Sequence, residues 1–137
     1  MNTDDSNRNS QYLLLIRGTD FDKGLSPAQL QEVMGRWAVW CDGVHASGKL
    51  VGAQPLIPEG KVVSGKGGKT VIDGAFAESK EAIGGYFLLE LDTIDEAIAI
   101  AQANPLLEYG LTIEVRPVAV QCPAMQKVSE MAAQATV

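Results

Sequence analysis

The hydrophobic positions of this chain change period several times, and each change marks an element. Tyr12 to Ile16 is a continuous apolar run closed by Arg17, the pattern of a central strand buried on both faces. Ser26-Pro27-Ala28-Gln29 opens a helix: Ser26 suits the cap, Pro27 the first helical position, and Gln29 completes a capping box. Leu30, Val33, Met34, Trp37, Trp40, Cys41 and Val44 then recur at helical spacing, and Gly48 is the natural stop. Leu50 to Ala53 reads as a short strand ended by Pro55 and Pro58. Residues 61–64 and 70–72 flank a glycine-rich turn and read as a hairpin. Tyr86 to Leu91 is a second buried strand. Thr93-Ile94-Asp95-Glu96 caps a second helix with Ile94, Ala97, Ile98 and Ala101 on one face, and Asn104-Pro105 ends it. From Leu111 to Arg116 apolar and polar residues alternate strictly, which puts Thr112, Glu114 and Arg116 on one face of a last strand.

That order makes two βαβ halves around a hairpin. The expected fold is an α+β, ferredoxin-like βαβ–hairpin–βαβ sandwich, with an antiparallel-dominated sheet and two helices on one face. Right-handed crossovers predict the 12–17 and 86–91 strands side by side and parallel at the centre. The helix-free face needs a cover, and a second copy is the simplest one, so a homodimer is expected. Apart from Met1, residues 1–10 hold no large apolar side chain and read as a disordered tail. Residues 11–118 read as the domain. Residues 119–137, where Val128 and Met131 give only a thin apolar stripe, read as an appendage that could form a short helix.

Composition narrows the classes. With 137 residues, 46% hydrophobic and 20% charged, the chain suits one ordinary globular domain. Such a length buries roughly two-thirds of the unfolded surface. A net charge of −6 lacks the electrostatic footprint for nucleic acid or an anionic membrane. No apolar run approaches the roughly 20 residues of a membrane span. The acidic, polar start (Met1 to Ser6) is the opposite of a signal peptide. Cys41 and Cys122 form no CxxC, which disfavours a disulfide or zinc framework, and a cytoplasmic setting is expected.

The most distinctive stretch lies between residues 71 and 86. A β-branched run ends at Asp73-Gly74, a polar loop carries Glu78, Lys80 and Glu81, and Gly84-Gly85 launches the strand from Tyr86. Asp73-Gly74-Ala75-Phe76-Ala77-Glu78-Ser79-Lys80-Glu81 with Gly84-Gly85-Tyr86 resembles the DGPF signature, Asp-Gly-Pro-Phe-Ala-Glu-Thr-Lys-Glu, of one branch of the YCII-related proteins. The resemblance spans residues 11–118, from the early Tyr12-Leu13-Leu14-Leu15-Ile16 strand to Ile113-Glu114-Val115-Arg116-Pro117. It implies a ferredoxin-like fold pairing into a dimeric α/β barrel, similar to that of muconolactone isomerases and small monooxygenases. Fold analogy alone transfers no reaction. Members of this family are often encoded beside or fused to extracytoplasmic-function sigma factors. Ala75 stands where the signature has proline. The shorter branch is thought to use a histidine–aspartate pair with the histidine inside the first helix, but Met34-Gly35-Arg36-Trp37 has none. That dyad does not carry over.

Candidate site residues follow from chemistry. Asp73 ends a strand beside a glycine, where a half-buried carboxylate could act as general acid or base; a turn aspartate bonding its own backbone is the plainer reading. His45, the only histidine, is a weaker candidate base, since histidine changes charge near neutral pH but is also favoured at helix C-termini. Arg17, Tyr86, Glu114 and Arg116 are candidate ligand-binding residues on the strands, the arginines suiting a small anionic or carboxylate ligand. Phe76, Glu78 and Lys80 would form a pocket rim, or simply an exposed charged loop. Trp37 and Trp40 read as core packing. Gly65-Lys66-Gly67-Gly68-Lys69-Thr70 has the tail of a P-loop, but Val63 stands where the first glycine belongs and a strand follows instead of a helix. It reads as a hairpin tip.

Two functions remain. One is a small-molecule binder or cofactor-free proton-transfer enzyme, a dimer with its pocket near Asp73 and no metal ligands or dinucleotide fingerprint. The other is a non-catalytic partner in sigma-factor-linked transcription regulation, docking through residues 119–137.

Overall fold

The structure, a computed structural model, describes residues 10–18, 20–74 and 82–135. The elements run β1 (Gln11–Arg17), α1 (Pro27–Ala46), β2 (Leu50–Pro55), β3 (Lys61–Ser64), β4 (Thr70–Asp73), β5 (Ile83–Glu90), α2 (Ile94–Gln102), β6 (Thr112–Pro117) and α3 (Pro123–Ala135). The proposed tail falls on residues 1–10, of which 1–9 lie outside the described residues. Among the described residues no helix is long and apolar enough to cross a membrane.

β2, β5, β1 and β6 form one four-stranded sheet in that order. Every pairing in it is antiparallel. This corrects one expectation: β1 and β5 are central neighbours, yet they run antiparallel and not parallel. The reason is topological. The α1 crossover returns β2 parallel to β1, and β5 enters the sheet antiparallel to β2, so it must also oppose β1. The strand order and helix placement agree with a ferredoxin-like α+β fold.

Alternation along the strands sorts the two sheet faces. Tyr12, Leu14 and Ile16 of β1 and Phe87 and Leu89 of β5 are buried with Val33, Trp40 and Val44 of α1 and Ala97 and Ala101 of α2. Both helices therefore cover the same face. Leu14 and Leu89 are fully buried, each contributing about 1.5–3 kcal/mol by removal from water. On the opposite face Leu13, Leu15 and Leu88 are only half-buried and sit beside Glu114 and Arg116.

Local sequence explains how α1 is set. Ser26 Oγ accepts the Gln29 N–H at 3.2 Å and Gln29 Oε1 accepts the Ser26 N–H at 2.8 Å, closing the capping box. The α1 to α2 contact is fixed by Trp40, whose indole N–H donates to the Ile100 carbonyl at 3.0 Å. β3 and β4 pair only with each other, Val62 opposite Ile72 and Val63 opposite Val71, as a hairpin apart from the main sheet. Its tip is the glycine-rich segment: Gly65, Gly67 and Gly68 all take positive φ, which is why glycines occupy it. α3 contributes no buried residue.

Candidate functional site

α1 carries Trp37, Cys41 and His45 at four-residue intervals, one stripe down its C-terminal half. That stripe faces the end of the sheet where β2 borders β5, and a cavity of about 400 Å³ opens between them. Leu50, Ala53, Gln54 and Pro55 of β2 and Gly84 to Phe87 of β5 form its other wall, with Ile16 of β1. Its size lies within the roughly 300–1,000 Å³ of small-ligand sites.

The glycine pair builds the wall. A Cβ on Gly85 would lie 2.9 Å from the Gln54 carbonyl oxygen and 3.3 Å from Pro55 Cα, so only glycine lets the β2 backbone approach so closely. The β1–β5 register skips Gly84, whose carbonyl accepts the Leu56 N–H at 2.9 Å. This irregularity interrupts the β1–β5 ladder beside the cavity wall.

Three aromatic rings floor the site. Trp37 and Trp40 have centroids 5.4 Å apart, and Phe87 meets Trp40 edge-on at 5.0 Å and Trp37 at 6.2 Å. Trp40 is buried beneath, while Trp37 and Phe87 line the cavity itself. Exposed Asp42 and His45 and half-buried Cys41 and Tyr86 are its titratable side chains. Burial pushes the Cys41 thiol above its ordinary pKa, and the neighbouring Asp42 charge adds to this.

The sequence-predicted residues divide among three places. His45 and Tyr86 line the cavity, although Tyr86 pairs with Leu15 on the open sheet face and not with the Phe87 side. Arg17, Glu114 and Arg116 lie on that open face. Glu114 Oε1 accepts from Arg17 at 2.9 Å, and its Oε2 lies 3.6 Å from Arg116. A single carboxylate thus already engages both arginines.

Asp73 stands elsewhere, at the end of β4, ion-paired with Lys61 across the hairpin. Its side chain is 76% exposed, in place of the half-buried carboxylate expected. A second, larger hollow of about 590 Å³ at the hairpin root is lined by Lys61 and Gly74, its immediate neighbours, with Pro55 to Gly60 and Ile83. Phe76, Glu78 and Lys80 lie outside the described residues.

Cys41, Asp42 and Gln54 are site residues that sequence reading passed over. The signal was present in the spacing: Trp37, Cys41 and His45 share one helical stripe, and a stripe that turns polar at its last turn marks the edge of a core.

A model of the YCII-related domain matches residues 11–121. The chain belongs to the YCII-related family. The matched region takes in the whole four-stranded sheet, α1 and α2, so this YCII-related domain holds every wall of the α1 cavity. No curated protein matches the chain.

Proposed function

We propose that this YCII-related domain binds a small molecule in the cavity beside α1 and handles a proton there. The observation that carries the reading is convergence. One enclosed wall of aromatic and aliphatic groups meets His45, Asp42 and Cys41 at its mouth. His45 is the proton acceptor in this reading, Gln54 a hydrogen-bonding partner, and Trp37 the platform. The hollow at the hairpin root is lined mainly by aliphatic side chains and backbone, and Asp73 is committed to Lys61. Asp73 is therefore a supporting residue of the hairpin in this proposal.

A homodimer completes the arrangement. Leu13, Leu15 and Leu88 leave a half-buried apolar centre on the helix-free face, and a second sheet packed on it would close a dimeric α/β barrel. Solution mass tests this directly: a single-copy mass across micromolar concentrations would rule the dimer out.

The chain's two thiols test the pocket. Cys41 lines it and Cys122 lies in the segment leading to α3, so bound compounds should slow alkylation of Cys41 and leave Cys122 unchanged. A screen in which every binder protects neither thiol, or both equally, would sink this placement.

One observation favours the second reading, a protein partner in sigma-factor-linked regulation. α3 presents Met125, Val128 and Met131 at three-residue intervals, all more than half exposed. In that reading α3 is the docking helix. Pull-down of an extracytoplasmic-function sigma factor by the full chain, lost on deleting residues 119–137, is its expected result; no enrichment with either form counts against it.

A further inference from the structure

Resting on the cavity reading above, we infer that the ligand is an organic cation, an amine or quaternary ammonium carried on an apolar body. Four observations point the same way. Asp42 brings a carboxylate to the cavity, and none of the described lining residues is a lysine or arginine. The cavity lies against the last turns of α1, a helix of 20 residues whose C-terminal end carries the negative pole of its dipole and favours positive charge. Trp37 lines the same space, and indole is the strongest aromatic partner for an ammonium group. Finally the chain as a whole carries a net charge of −6, which draws cations toward it and holds anions off.

The geometry assigns each part of such a ligand a place. Its apolar body occupies the wall formed by Leu50, Ala53 and Phe87, where no charged group competes. The ammonium sits toward Asp42 and the Trp37 ring. A carboxylate ligand would meet the reverse: the Asp42 charge, the helix's negative end and no fixed cation to offset them. The arginines that suit an anion lie on the other sheet face, already engaged by Glu114.

Three probes of similar size separate the cavity from its charge preference: benzyltrimethylammonium, benzyl alcohol and phenylacetate. Binding to the full chain is read by tryptophan fluorescence and by protection of Cys41 from alkylation, with Cys122 as the internal control. The cation should bind about tenfold more tightly than the alcohol, in line with a paired and partly desolvated ammonium. Phenylacetate should bind more weakly than the alcohol. Asp42→Asn should weaken the cation enough to bring it to within about threefold of the alcohol, as expected when a charge contact is removed. If the alcohol protects Cys41 but phenylacetate equals or exceeds the cation, the inference fails and the cavity reading stands. A cation preference that survives in Asp42→Asn also overturns it. If none of the three protects Cys41, both fall.

Discussion

Arg17 Nη1 donates to Glu114 Oε1 at 2.9 Å, diagonally across the β1–β6 pair, on the sheet face opposite α1 and α2. Glu114 also reaches Arg116. All three side chains are a third or more exposed, so solvent screens the pair and its value to stability is small, about 0–1 kcal/mol. Its larger effect is on recognition: Glu114 fills the place that a ligand carboxylate would take between two guanidinium groups. Glu114→Gln should therefore change the midpoint of urea unfolding little. It should also give the open face a measurable affinity for a dicarboxylate such as succinate, absent in the parent chain. Titration calorimetry checks both arms of the comparison, and equal binding to parent and variant would show that Glu114 is no gatekeeper.

Gly85 is where the β2 and β5 backbones of the cavity wall leave no room for a side chain. Alanine there places a methyl group 2.9 Å from a backbone oxygen of β2, a contact no side-chain rotation relieves. Gly85→Ala should force β2 away from β5 and cost about 1–3 kcal/mol, the usual penalty of overpacking. Gly24→Ala is the control, because a Cβ there meets nothing within 4 Å. Thermal unfolding should separate the two by several degrees, with only Gly85→Ala also exposing Cys41 to faster alkylation.

Much of this fold is legible in the chain, for reasons that differ by element. The capping box at Ser26 is a local, reciprocal interaction, so sequence suffices to place the start of α1. The P-loop-like tail was recognisable as a hairpin tip because a strand and not a helix follows it. Strand direction at the centre was less accessible, since it depends on where a crossover returns and not on any residue pattern. The site was harder still. Asp73 and Tyr86 are near in sequence, but β4 leaves the main sheet while β5 enters it, and the two residues end in different places. The cavity instead joins residues 37–45 to 84–87, which only the α1–β5 packing brings together.

The two thiols should titrate in different pH ranges. Backbone N–H groups of Met125 and Ala124 stabilise the Cys122 thiolate and lower its pKa, whereas burial and then Asp42 raise that of Cys41. Iodoacetamide should modify Cys122 first, and the Cys41 rate should still be climbing at alkaline pH after that of Cys122 has levelled. Stability follows the same sign for Cys41. Its folded form holds the proton more tightly than the unfolded chain, so its contribution is complete below the unfolded thiol pKa, about 8.5, and declines as pH rises past it. Cys41→Ser should flatten that decline; a parent chain whose stability rises from pH 8 to 10 relative to the variant would contradict the assignment.

Trp40 supplies the most demanding test of the packing beneath the cavity. Its ring is buried against Phe87 and its indole N–H is the link from α1 to the last turn of α2 at Ile100. Two contributions are separable. Trp40→Phe keeps an aromatic ring against Phe87 but removes the donor, and the Ile100 carbonyl still accepts the Ala103 N–H at 3.3 Å. With one partner retained, the loss should stay near the value of a single hydrogen bond, about 1 kcal/mol, plus a modest term for volume. Trp40→Ala removes the ring as well and should cost about 3–5 kcal/mol. Urea unfolding followed by Trp37 fluorescence reads both, since Trp37 is then the only tryptophan in the chain. Equal losses in the two variants would mean that the hydrogen bond, and not the ring, holds α1 onto the sheet. A loss confined to Trp40→Ala would place that role with the aromatic cluster that also floors the cavity.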